Sequence, residues 1–246
     1  MPGRGLIIDV PQIEGGTMVL AEAPNADRLD ILPVVRWDGE RSLIKAYDEV
    51  LVPNSGNWDW IALDSITAAQ ELAKRKITRE RGGASDSTIT GNPHKVTLPE
   101  HGEIGEMMKD LAYKLRLLNK VHVIVTAQQR SRQDDEGSVL QPDISPSALT
   151  GWLPSMFLVG HLSVIEVAVN EEATKFEWER RLRVGAHPNF VTKARALPSR
   201  PLPAIIRKPH LGEIFSWCLG KDGAKAPTGL SEAAATARPA GEGEPM

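Results

Sequence analysis

Residues 58–67 carry the sequence WDWIALDSIT, and this stretch decides the fold class. The nearly continuous apolar run over 58–63 is typical of a strand buried on both faces, as in a parallel sheet that helices cover. Asp64 and Ser65 follow the run, and from Ile66 onward apolar residues recur at helical spacing. The stretch therefore predicts a strand that passes into a helix, with two polar side chains at the junction.

Three other apolar runs have the same character, at residues 6–10, 31–35 and 121–127. Helical periodicity over 66–79 and 103–119 lies between the last two strands. Alternating strands and helices predict right-handed crossovers, and hence a mostly parallel sheet flanked by helices. The expected fold class is α/β.

The pattern changes in the second half of the chain. Residues 162–169 and 176–184 predict two strands joined by a polar turn, which we expect to extend the sheet in antiparallel fashion. A short helix is predicted over 211–219. The remaining residues are rich in Ala, Gly, Pro and Glu, so we assign one core over 1–220 and a disordered tail over 221–246.

Two polar inserts interrupt the regular scheme. Residues 82–102 are full of Gly, Ser, Thr and Asn, and residues 129–146 mix arginines with an acidic cluster. Long loops in compact domains are usually functional or disordered. We therefore expect both inserts to be loops.

Composition excludes several classes of protein. In 246 residues no apolar run approaches the roughly 20 needed to span a bilayer, and no signal peptide precedes the first strand, so we expect a cytoplasmic protein. Cys218 is the only cysteine and cannot form an internal disulfide. The six histidines lack zinc-ligand spacing. The net charge of -3 means that any contact with nucleic acid must be local.

Asp64 is the sharpest chemical candidate. A carboxylate at the carboxyl end of a strand in a nucleotide-binding sheet can hold magnesium, usually through water, beside the phosphates. The alternative is that Asp64 or Ser65 only caps the helix that follows.

The segment VHVIVTAQQR over 121–130 supplies a second polar strand end. It delivers Thr126 and Gln128 to the same edge of the predicted sheet as Asp64. A neutral amide there can sense a terminal phosphate by hydrogen bonding. The alternative is an ordinary polar strand end.

These segments, in this order, resemble the core of RecA recombinases, and more closely the phage-encoded RecA-like AAA ATPases, over most of residues 5–219. IALDS matches the Walker B element of that family, which makes Asp64 the magnesium-organising acid with Ser65 beside it, and Gln128 the phosphate sensor. The resemblance implies ATP and Mg as cofactors and hydrolysis at subunit interfaces of a head-to-tail ring or filament. It also implies single-stranded DNA as partner, in phage recombination or replication within the host cytoplasm.

The same resemblance gives roles to the two inserts. Residues 82–102 resemble the first DNA loop, and residues 129–146 the second, with Arg130 and Arg132 nearest the strand. The acidic residues at 134–136 oppose a grip on phosphate, and no aromatic residue is present there to stack on bases. A plain solvated loop remains the alternative.

Two further motifs resemble catalytic elements of the family. FVTKARALPSR places Lys193 and Arg195 as cations that reach a neighbouring subunit's ATP, with a solvated basic turn as the alternative. LIIDVPQIEGG resembles the strand that supplies the acid that activates the attacking water. Glu14 is favoured over Asp9 for this role because it precedes the glycine pair.

Nothing in the chain matches G-x-x-x-x-G-K-[ST], the loop that grips phosphates. In the resembling family this loop lies immediately before the strand matched by 6–9. We expect an upstream extension that supplies it, because the loss of an inner strand would leave unpaired edges. A degenerate homologue, acting as an inactive DNA- or protein-binding module, is the alternative, and a helicase motor is a third possibility.

Overall fold

The computed structural model describes residues 3–10, 26–83, 96–118, 121–134, 137–169 and 176–230. These residues form two compact units. The first unit comprises residues 2–130 and 142–155, and the second comprises residues 131–141 and those from 156 onward.

The first unit is built on a four-stranded parallel sheet with the order β2–β1–β3–β4. The strands are β1 (Gly5–Asp9), β2 (Leu29–Pro33), β3 (Trp60–Asp64) and β4 (His122–Val125). Leu6, Ile8, Ile61 and Leu63 are at most 2% exposed, as the continuous apolar runs require. The predicted α/β class with a parallel sheet is confirmed.

Helices flank this sheet. They are α1 (Leu43–Lys45) and α2 (Val52–Asn54), separated by a π-helical segment (Ala46–Leu51), then α3 (Ile66–Gly83), α4 (Leu98–Leu117) and α5 (Pro146–Ser155). Short 3-10 turns at Ala26–Arg28 and Ser55–Asn57 precede β2 and β3. The inner face of α4 is fully buried at Ile104, Met108, Leu111 and Leu115.

Helix α4 begins five residues before its predicted start. The carboxylate of Glu100 accepts a hydrogen bond of 2.6 Å from the backbone N–H of Thr97, directly before the helix. Such a bond satisfies a backbone donor that the first helical turn leaves without a partner. A capping hydrogen bond therefore sets the start of α4. The spacing of apolar residues does not reveal such a bond.

The expectation that residues 129–146 form a loop is wrong. Strands β5 (Gln129–Asp134) and β6 (Gly137–Pro142) pair as a two-stranded sheet, and α5 begins at Pro146. Backbone hydrogen bonds form such a hairpin without an apolar face, so the polar sequence gave no strand signal. The other insert lies mostly outside the described residues, which resume at Val96.

The second unit contains the remaining elements. They are β7 (Leu158–Val159), β8 (His161–Ala168), β9 (Phe176–Arg183), β10 (Lys193–Ala194), β11 (Ile205–Arg207), α6 (Leu211–Cys218) and β12 (Gly229–Leu230). The predicted antiparallel pair is present as β8 and β9. However, within the described residues these strands belong to a separate sheet, β12–β11–β9–β8, and do not extend the parallel one. Local alternation defines a strand and its faces but not its partner.

The second unit has its own apolar core, formed by Leu182, Val184, Ile206, Ile214 and Cys218. Burial raises the pKa of the Cys218 thiol, as expected for a packed cysteine. Regular structure continues past residue 220, since Gly229 and Leu230 pair with β11. The rest of the predicted tail, 231–246, lies outside the described residues.

None of the described helices is both long enough and apolar enough to cross a membrane.

Candidate functional site

The candidate site is the edge of the parallel sheet where β1, β3 and β4 end. Asp9 and Asp64 are register partners at the ends of β1 and β3. Leu63 is the partner of Val125 at the end of β4, and Thr126 follows directly. Parallel neighbours deliver their last residues to one edge, which is where ligands bind in open α/β sheets.

Thr126 connects the end of β4 to the junction of β3 and α3 through three hydrogen bonds. Its hydroxyl donates to Oδ1 of Asp64 over 2.5 Å. Its backbone N–H donates to the carbonyl of Leu63, and its carbonyl accepts from the N–H of Ile66. The peptide bond that follows Asp64 is cis. The carboxylate of Asp64 is exposed, and the Thr126 hydroxyl holds one of its oxygens at this edge.

Gln128 is fixed at the same edge. Its backbone N–H donates to Oγ1 of Thr67 over 3.0 Å, and its carbonyl accepts from the N–H of Asp143 over 2.7 Å. Thr67 is buried on α3, whereas the Gln128 side chain is exposed. The structure thus brings both residues to one edge of the sheet, Asp64 at the end of β3 and Gln128 three residues beyond the end of the adjacent β4.

Ser65 has a structural role at this junction. It is 3% exposed, and its Oγ accepts a hydrogen bond of 3.3 Å from the backbone N–H of Ala68. This contact is an N-cap of α3. Ser65 therefore caps the helix, whereas the Asp64 carboxylate accepts a hydrogen bond from Thr126.

The residues at this edge fit a hydrated magnesium ion. The described part of the chain contains no group of three or more His, Cys, Asp or Glu side chains that could enclose a metal. Magnesium retains several waters and is commonly bound through one or two carboxylates together with substrate phosphates. The exposed carboxylate of Asp64, with Asp9 on the next strand, suits that mode.

Of the two candidate bases, Asp9 lies within the described residues and Glu14 does not. Asp9 is half-buried at the end of β1, and its carbonyl accepts a hydrogen bond of 2.8 Å from the N–H of Val34. The favoured residue, Glu14, lies outside the described residues. Only Asp9 can therefore be located at the site edge.

The proposed DNA-contacting arginines lie on β5. Arg130 is half-buried, and its guanidinium lies 3.5 Å from the carboxylate of Asp143. Arg132 is exposed. An ion pair reduces the charge that Arg130 can offer to a phosphate, so Arg132 is the more available cation.

The two proposed finger cations lie in the second unit. Lys193 is on β10, opposite Val159 of β7, and the N–H of Arg195 donates to the carbonyl of Phe157 over 3.1 Å. Burial lowers the pKa of Lys193, and the charge of Arg195 lowers this pKa further. Two cations therefore lie two residues apart, one on a short strand and one directly after it.

Sequence reasoning missed the polar inner residues of α3. Thr67 accepts the bond from Gln128, and Oε1 of Gln70 accepts a bond of 2.6 Å from the N–H of Ser145, which precedes α5. Both side chains are buried. Two polar residues three apart, among the Ile, Ala and Leu residues at the start of α3, were the available signal.

The chain matches no protein-family model, and the search of curated proteins likewise returns no match.

Proposed function

We propose that this protein is a RecA-like ATPase that acts on single-stranded DNA in phage recombination or replication, with ATP hydrolysed at the interfaces of a homo-oligomer. The observation that carries the proposal is the hydrogen bond between Thr126 and Asp64 at the carboxyl edge of a parallel sheet, beside Gln128. The edge combines an oriented carboxylate with an exposed amide.

This arrangement supports nucleotide chemistry for a physical reason. Phosphoryl transfer depends mainly on positioning and on neutralising charge, so a metal-organising acid and a residue that contacts the terminal phosphate must be held rigidly. The Thr126 hydroxyl holds the carboxylate of Asp64, and the Thr67 hydroxyl holds the backbone of Gln128. On this proposal Asp64 organises Mg through water, and the amide of Gln128 hydrogen-bonds to phosphate.

The cations of the second unit support hydrolysis between subunits. ATP carries several negative charges, and a cation supplied from a neighbouring subunit stabilises the charge that develops during transfer. Lys193 lies on β10, and Arg195 directly follows this strand, with its N–H bonded to the carbonyl of Phe157. Arg132, exposed on β5, is the first candidate for a phosphate contact with DNA.

The experiment is a measurement of Mg-dependent ATP hydrolysis by the full-length protein, with and without single-stranded DNA. We expect DNA-stimulated turnover that falls at least about 100-fold in Asp64→Asn, the size of effect expected when electrostatic stabilisation is lost. Asp110→Asn is the matched control, since Asp110 is an exposed carboxylate on α4 that faces Lys114. Equal turnover in the two variants would overturn the proposal.

A second candidate is a binding module without catalysis. The absence of G-x-x-x-x-G-K-[ST] from the 246 residues favours it. It predicts that the protein retains DNA while neither binding nor hydrolysing ATP, and that Asp64→Asn leaves DNA retention unchanged. A helicase motor would be distinguished by ATP-dependent unwinding of a tailed duplex.

A further inference from the structure

One face of the β8–β9 pair is exposed and apolar. Residues opposite each other in an antiparallel pair share a face, so the register defines which side chains lie together. The exposed part, called here the β8–β9 face, is formed by Leu162, Val164, Glu166, Phe176, Trp178 and Arg180. Trp178 is 71% exposed and Phe176 is 52% exposed. Exposure of two large aromatic rings on one face of a sheet points to a binding surface.

The opposite face of the same strands is used internally. Glu179 is 1% exposed and accepts hydrogen bonds from Arg181 and Arg207. At the other end of β9, Leu182 lies on the same face as Trp178 but packs into the core with Ile214 of α6. Among the described residues, the internal packing of the unit thus leaves the stretch from Phe176 to Arg180 on this face exposed, together with its partners on β8.

The spacing on β9 suits bases that are not stacked on each other. Phe176, Trp178 and Arg180 alternate along the strand, so successive side chains are about 7 Å apart on one face. Two rings at that separation can each stack on one base of an extended strand. A cation in the next position can contact the phosphate, which is the combination found in sequence-tolerant single-strand binding.

The charge of the surrounding segment supports a polyanionic partner. Residues 156–230 contain eleven Lys and Arg against seven Asp and Glu, in a chain whose net charge is -3. On the face itself, the positive charge of Arg180 is offset by the single carboxylate of Glu166. Glu166 is the register partner of Trp178. The aromatic rings supply contact area, the basic segment supplies the long-range attraction, and Glu166 weakens that attraction.

We propose that the β8–β9 face binds single-stranded DNA, with bases stacked on Phe176 and Trp178 and a phosphate held by Arg180. The proposal shares its DNA partner with the proposed function but uses none of the residues assigned above. It holds whether or not the protein hydrolyses ATP, because stacking on an exposed sheet needs no nucleotide.

The test is the affinity of the full-length protein for a fluorescently labelled oligothymidylate, measured by anisotropy. Trp178→Ala is expected to weaken binding about tenfold, the usual loss for one stacked base, and Trp178→Phe to retain most of the affinity. Tyr113→Ala is the matched control, because Tyr113 is 59% exposed on α4 in the first unit. Equal affinities for Trp178→Ala and Tyr113→Ala would overturn the proposal.

Charge variants on the same face test the phosphate contact. Arg180→Gln should weaken binding and reduce the slope of log affinity against log salt by about one, as expected for one lost phosphate contact. Glu166→Gln should tighten binding, because it removes a carboxylate beside the bound strand. Weaker binding by Glu166→Gln would contradict this placement of the DNA.

Other occupants of the face are separated by further measurements. If Trp178→Ala abolishes self-association in sedimentation velocity while DNA affinity is unchanged, the face is an interface between copies and the proposal fails. If duplex DNA or single-stranded RNA binds as tightly and responds equally to Trp178→Ala, single-stranded DNA is the wrong partner. Arg130→Gln with Arg132→Gln tests the β5 contact separately, so failure of one site leaves the other measurable.

Discussion

The hydroxyl of Thr126 donates a 2.5 Å hydrogen bond to Oδ1 of Asp64, and so joins the residue that follows β4 to the last residue of β3. The backbone of Thr126 also forms hydrogen bonds with Leu63 of β3 and with Ile66 at the start of α3. The position of this threonine after β4 therefore sets the position of the Asp64 carboxylate. Gln128 lies two residues after Thr126.

Removing this hydroxyl should impair the proposed activity without unfolding the protein. In Thr126→Val the carboxylate loses its donor, and we expect Mg-dependent ATP turnover to fall about 10- to 100-fold, as for other residues that orient a metal ligand. Thr126→Ser keeps the donor and should restore most of the rate. The measurement is turnover as a function of Mg concentration, and wild-type rates in Thr126→Val would contradict a positioning role.

Glu179 should make the folded state sensitive to acid. Hydrogen bonds from Arg207, and then from Arg181, lower the pKa of this buried carboxyl to about 2. Because the folded pKa lies below the unfolded value, the stabilisation is fully present above about pH 5 and is lost as the pH falls toward 2. Between pH 5 and 3 the loss should be about 1–2 kcal/mol, allowing for the partial exposure of Arg207.

The check is urea unfolding of Glu179→Gln at several pH values. The variant should be less stable than wild type at pH 7, because two arginines lose their shared carboxylate, and the difference should narrow on acidification. Glu166→Gln is the control, since Glu166 is exposed on the other face of the same strand pair. A pH-independent difference for Glu179→Gln would show that its ion pairs do not set the acid sensitivity.

Gly5 should not tolerate a side chain. It is the register partner of Trp60, and a Cβ at Gly5 would lie 2.1 Å from Cζ2 of that indole. The rigid ring belongs to a central strand, so Gly5→Ala should destabilise the protein by about 1–3 kcal/mol. In Gly102→Ala the Cβ meets no atom within 4 Å, and a helical alanine should stabilise the protein by up to about 1 kcal/mol. Urea unfolding compares the two variants, and equal effects would contradict the packing argument.

The indole N–H of Trp152 attaches α5 to α4, and the indole N–H of Trp217 on α6 provides an exposed hydrogen bond for comparison. Nε1 of Trp152 donates to the carbonyl of Met108 over 2.8 Å in a buried position, whereas Nε1 of Trp217 donates to the carbonyl of Pro201 over 3.2 Å at the surface. Trp152→Phe should cost about 1–2 kcal/mol, and Trp217→Phe less than about 0.5 kcal/mol, since water replaces only the exposed bond. Thermal unfolding at neutral pH is sufficient to rank them, and the reverse order would contradict this account.

The parallel sheet could be predicted because its signal is local. The apolar runs of β1 and β3 are nearly continuous, and burial on both faces requires that composition. The polar junction after β3 could be identified for the same reason, since Asp64 and Ser65 interrupt an apolar pattern. Which of the two would cap α3 could not be predicted, because that depends on a hydroxyl reaching the N–H of Ala68.

By itself, the amino-acid sequence determined the α/β class, the four parallel strands and the polar residues that end them. A strand buried on both faces needs consecutive apolar residues, so its run and the polar residue that ends it can be read locally. Only the tertiary structure decided that Thr126 meets Asp64, that Thr67 holds Gln128, and that β8 and β9 belong to a sheet of their own. Those relationships join residues far apart in the chain, and no local pattern specifies a partner across such distances, because pairing is selected by the packing of the whole unit.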